Sequence, residues 1–121
     1  MVMRADIIRT EAGRLDWNDL PGGIRYKFVA TGCKFMTGIG VAQPGSGETW
    51  HQHAEDVEET YYIIKGQGKI SWKSDGEVRS LDFSAGDALY LPHGIENEFV
   101  NTGDDELWLL FNITKAEKMR E

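Results

Sequence analysis

Three residues between positions 51 and 59 have the types and spacing for chemistry: His51, His53 and Glu59. In an extended strand, residues two apart project from the same face, so His51 and His53 form a pair of imidazoles able to chelate a borderline metal. Taken alone, such a pair is equally consistent with two surface histidines. Glu59 heads the run Thr60-Tyr61-Tyr62-Ile63-Ile64, and its same-face neighbours are Tyr61 and Ile63. A carboxylate on an apolar strand face needs solvent or a partner, because burying a lone charge is costly. A metal cation supplies that partner. Two imidazoles and one carboxylate suit one divalent transition metal: Fe, Mn, Ni or Zn.

The elements that must position these residues read as strands. Turn chemistry recurs at Pro21-Gly22-Gly23, Pro44-Gly45-Ser46-Gly47, Gly66-Gln67-Gly68, Ser74-Asp75-Gly76, Ala85-Gly86-Asp87 and Thr102-Gly103-Asp104. Between the turns lie short runs rich in β-branched and aromatic residues: 24–31, 34–41, 60–64, 69–72, 78–83, 88–91, 98–100 and 107–113. Many short strands at even spacing predict an all-β sandwich or barrel. Residues 114–120 are expected to close the chain as a short C-terminal helix. The pairs Gly38/Gly40 and Gly66/Gly68 are expected to be bends or bulges, since no helix follows them to make a phosphate loop.

Composition narrows the function classes. The chain has 121 residues, enough for one domain over 1–121. Thirteen Lys and Arg against twenty Asp and Glu leave a net charge of -7, which disfavours nucleic acid and anionic lipid as partners. No apolar run is long enough to span a membrane, and the N-terminus lacks a signal-like core. The single cysteine, Cys33, has no partner for an internal disulfide, so a cytoplasmic location is expected. The sequon at Asn112-Ile113-Thr114 lies in a strand-like run and is discounted.

The run Gly45-x5-His51-x-His53-x5-Glu59-x6-Gly66 resembles the first signature of the cupin superfamily, with a slightly longer loop before the glutamate. The spacing to Gly66 selects Glu59; Glu58 fits the histidine side better and stays an alternative. A second run, Gly86-x5-Pro92-x-Gly94-x2-Asn97-x3-Asn101, resembles the second signature. The resemblance implies a double-stranded β-helix, or jelly-roll, cupin barrel, with the first motif at about 45–66 and the second at about 86–101.

Cupins usually hold their metal with three histidines and one glutamate, and here Asn97 stands where the third histidine is expected. An amide oxygen is a weaker and harder donor than imidazole. Three arrangements stay open. The metal sits on His51, His53 and Glu59 with Asn97 as a weak ligand or a donor to bound water. His93 swings in from its turn. Or the site is vestigial and its side chains simply pair with one another.

A pocket lined by Trp50, Tyr61, Ile63 and Phe99 follows if Glu59 and Asn97 face inward, with Met36 on an earlier core strand. Tyr61 is the candidate catalytic side chain, as a hydroxyl donor or weak acid. Glu96 and Glu98 should face solvent, and the acidic run 55–58 should lie at the mouth. The barrel hosts many activities. The resemblance therefore implies a small-molecule-binding protein, read either as a metal-dependent enzyme of dioxygenase, isomerase, epimerase or lyase type, or as a non-catalytic ligand-binding or accessory cupin. Tyr62 and Ile64, opposite Glu59 in parity, offer an apolar face for a homodimer.

Overall fold

The computed structural model describes residues 6–120; positions 1–5 and 121, the outer ends of the expected domain, lie outside that description. Ten strands run in chain order: β1 (Asn18–Leu20), β2 (Ile24–Thr31), β3 (Phe35–Ala42), β4 (Gly47–Gln52), β5 (Glu59–Lys65), β6 (Gln67–Ser74), β7 (Glu77–Ser84), β8 (Ala88–Leu91), β9 (Glu96–Asn101) and β10 (Leu107–Thr114). They form two antiparallel sheets, ordered β1-β2-β3-β10-β5-β8 and β4-β9-β6-β7. From β3 onward the chain steps back and forth between the sheets. That path is the jelly-roll barrel that the resemblance implies, within the sandwich-or-barrel class that the turn spacing predicts.

Alternation along the strands makes the core. On β5, Glu59, Tyr61 and Ile63 are buried while Thr60, Tyr62 and Ile64 are exposed. On β9, Asn97, Phe99 and Asn101 are buried in the same rhythm. Leu107 and Leu109 of β10, beside Ile63 in the first sheet, meet Ile70 and Phe83 of the second sheet in one cluster. Each such side chain contributes about 1.5–3 kcal/mol through burial. Asn101 ends the second motif for a structural reason. Its amide donates to the carbonyls of Ala42 and Asp105, and its oxygen accepts from the Gly103 N–H, tying the turn into β10.

Three expectations change. The C-terminal helix is a single 3-10 turn, Glu117–Met119. Ala116, at φ -54° and ψ 142°, and Arg120, at φ -78° and ψ 143°, both have non-helical backbone, so the turn is confined to the three residues between them. Gly66 does turn the chain, at φ 91°. Gly38 is instead inside a strand, where a Cβ would overlap the Phe111 ring, and the bulge falls on the partner β2 between Phe28 and Ala30. Finally, β1 and β4 lie outside the apolar runs, because both are short and largely polar.

The outer face of the first sheet is partly covered by the N-terminal segment. Lys27 donates to the Ala12 carbonyl at 2.7 Å and lies 4.2 Å over the Trp17 ring, which packs edge-on against Trp108.

Candidate metal centre and its cavity

The site is organised by the pairing of β4 with β9. His51 stands opposite Asn97 and Glu48 opposite Phe99, and the register slips between those two pairs. Asn97 and Phe99 share the inner face. Directly opposed residues share a face, so His51 and Glu48 are both turned inward. In a regular strand, residues three apart would face opposite ways. The bulge at Thr49–Trp50 removes that conflict. Glu48 therefore enters the site beside His51, with its carboxylate 3.4 Å from the imidazole. Period-two reasoning misses this residue; the irregular pairing that reveals it is a property of two strands.

His51 Nδ1 lies 2.8 Å from the Thr49 carbonyl oxygen. A carbonyl can only accept, so Nδ1 carries the proton and Nε2 presents a lone pair. His53 follows β4 directly, its ring edge-on to His51 at 5.4 Å between centroids. Glu59, at the head of β5, is 8% exposed and places Oε1 3.6 Å from His53 Nε2. That distance is an ionic contact longer than a hydrogen bond.

Three buried atoms here have no hydrogen-bond partner within the protein: His51 Nε2, Glu59 Oε1 and Asn97 Oδ1. The Asn97 amide nitrogen donates to the Ile95 carbonyl at 3.3 Å, leaving its oxygen as the free end. All three atoms offer lone pairs. A water has only two protons to give, whereas a cation satisfies three acceptors together. In chemical type these donors suit a divalent metal. Among the described residues, no group of three or more His, Cys, Asp or Glu side chains is drawn together at ligating distance.

Charge in the site follows burial. Interaction with the Glu59 carboxylate raises the His53 ring above its ordinary value, against the opposing effect of burial. Burial raises the Glu48 carboxyl, a shift reduced by His51 and reinforced by Glu59. Tyr61 is pushed well above the usual phenol range, first by burial and then by Glu59 and Glu48. Its hydroxyl is consequently a neutral donor at physiological pH.

A cavity of about 270 Å3 opens beside these groups, lined by Glu48, His53, Glu59, Tyr61 and Phe99 with the inner faces of β2, β3 and β10. Two expected lining residues are elsewhere. Trp50 is turned to the other side by the bulge, under the Lys73 ammonium at 4.9 Å. Ile63 is fully buried in the core and does not reach the cavity. Glu58 faces away from the histidines, with its carboxylate accepting from the Tyr90 hydroxyl at 2.8 Å. His93 is exposed in its turn. Glu96 pairs outward with Lys73. The acidic loop is held by the Asp56 contact to the C-terminal turn and by buried Val57.

Comparison with known proteins adds to this geometry. A family model described as "Cupin domain" matches residues 38–112. The chain is 33% identical over 93 residues to oxalate decarboxylase OxdC of Bacillus subtilis, covering 74% of this chain but only 24% of that protein. It superposes on the structure of KdgF from Halomonas sp. with a TM-score of 0.75 and 26% identity, covering 94% of this chain and 99% of that one. Drosophila melanogaster CENP-C bound to CAL1 has a TM-score of 0.74 at 21% identity, over 84% of this chain and 82% of that one, a likeness of fold alone.

Proposed function

This chain belongs to the cupin domain family, and on that premise we propose that it binds a small molecule and acts as a metal-dependent enzyme, with one divalent transition metal on His51, His53 and Glu59. The observation that carries this reading is the trio of buried, unpartnered lone-pair atoms on His51, Glu59 and Asn97. Asn97 serves as a weak neutral ligand beside them. When bound, the ion supplies Lewis-acid chemistry next to the cavity.

The chain's own groups have separable tasks in this reading. Thr49 holds the His51 tautomer through its carbonyl. Glu48 lines the cavity and exchanges a proton at its carboxylate, a task suited to a carboxyl raised by burial. Tyr61 donates its hydroxyl to the bound molecule. Buried Phe99 and Tyr61 exclude water from their end of the cavity.

Elemental analysis of protein purified without a histidine tag tests the reading. Metal near one equivalent, retained or acquired on incubation with Mn, Fe, Ni or Zn, is the expected result. Less than about a tenth of an equivalent with no uptake would sink it and leave a non-catalytic binding or accessory cupin.

The proposal includes a homodimer and a cytoplasmic location. Tyr62, Ile64 and Tyr90 are exposed on the part of the first sheet that the N-terminal segment leaves uncovered. A second copy would bury them. Light scattering at micromolar concentration should return twice the chain mass; the mass of a single chain counts against the dimer. Cys33 is exposed and unpaired, as suits a reducing compartment.

A further inference from the structure

The aromatic rings of the cavity wall form a continuous edge-to-face run. Tyr26 and Phe28 lie 5.7 Å apart at 77°, and Phe28 and Phe111 lie 5.7 Å apart at 74°. Tyr61, the cross-strand partner of Phe111, lies 5.9 Å from Phe99 at 76°. The ionisable side chains among the lining residues are Glu48, His53, Glu59, Tyr61 and Tyr26; neither lysine nor arginine is among the described ones. Strand parity is the cause. On β2, Ile24, Tyr26 and Phe28 face the cavity, so Arg25 and Lys27 are turned to the opposite face, where both lie over the Trp17 ring, at 4.6 and 4.2 Å. The strand's two cations are thereby held away from the site.

We propose that the protein walls of this cavity take an uncharged or cationic small molecule with an aromatic, apolar body, and that without a bound metal they select against carboxylates. The inference rests on the cavity being the ligand site of the reading above, and it names the class of that ligand. In the metal-free cavity a carboxylate loses its hydration and meets two glutamates with no basic side chain to receive it. An apolar ring instead finds edge and face partners, and an ammonium group finds the Glu48 carboxylate and the faces of Tyr26 and Phe28. The volume lies at the lower end of small-molecule sites.

Three probes with one phenyl body and different charge test this: 2-phenylethylamine, 2-phenylethanol and 3-phenylpropionate. Each is titrated into chelator-treated protein, followed by the side-chain NMR signals of Phe28, Phe99 and Phe111. The amine and the alcohol should bind at least about tenfold more tightly than the acid. Glu48→Gln should remove the amine's advantage over the alcohol, and Phe28→Ala should weaken all three. Met36→Lys, which adds a cation to the wall, should shift preference toward the acid. An acid that binds wild-type protein as tightly as the alcohol overturns the inference, and so does the absence of any shift with all three probes at millimolar concentration. Because the titrations use metal-free protein, a failure of the metal reading leaves their outcome intact.

Discussion

His51→Ala is expected to leave purification with less than about a tenth of an equivalent of metal under conditions where the parent protein carries nearly one. His51 is the imidazole most completely prepared as a ligand. Its Nδ1 proton is committed to the Thr49 carbonyl, and its Nε2 lone pair is buried and unpartnered. Without it, only His53, Glu59 and the weak amide oxygen of Asn97 remain, too poor a set for a tight site. Against the chelator-treated parent, thermal unfolding should change by only a few degrees, because His51 lies outside the hydrophobic core cluster. Glu59→Gln should empty the site in the same way. Glu58→Gln should leave the metal in place, since that carboxylate is bonded to Tyr90 on the other side of the strand. Asn97→His places an imidazole directly opposite His51 and should tighten binding by about tenfold or more. A His51→Ala protein that keeps its metal would refute the ligand assignment.

Gly47→Ala is expected to be the most damaging small substitution in the barrel. A Cβ at this position overlaps the Phe99 carbonyl and comes within 2.7 Å of Val100 Cα. Those are backbone atoms of the paired β9, so no rotamer change relieves the overlap. Separating β4 from β9 breaks the pairing that turns Glu48 and His51 inward. A cost of about 3 kcal/mol or more is expected, a large share of the stability of a domain this size. The melting temperature should fall by about 10 °C or more. Gly13→Ala is the control: a Cβ there meets nothing within 4 Å, and its melting temperature should match the parent. An unchanged melting temperature for Gly47→Ala would show that β4 moves away from β9 at little cost.

The strand rhythm was legible because it is local. Gly66 turns the chain where the turn residues said it would, and Tyr61 and Phe99 point inward because side chains alternate along any strand. The same alternation placed Glu59 inside and Glu58 outside, once the strand's first residue was known. The two spacing signatures carried the fold class and the pair His51 and His53.

Tertiary structure decided what depends on two strands at once. Glu48 joins the site, and Trp50 leaves it, because the register of β4 on β9 slips between Glu48 and His51. Nothing in the run Gly47–Gln52 alone announces that slip. Gly38 makes room for a ring some seventy residues away rather than bending its own strand. Ile63 belongs to the core and not the cavity: it is fully buried beside Leu109 of the paired β10, in one cluster with Leu107, Ile70 and Phe83. The three candidate residues between positions 51 and 59 were thus given by covalent order. Asn97 was marked by the second spacing signature, but its place opposite His51, the acidic companion Glu48 and the cation-free aromatic wall were given by packing, since hydrogen-bond register and side-chain volume are settled only between segments distant in sequence.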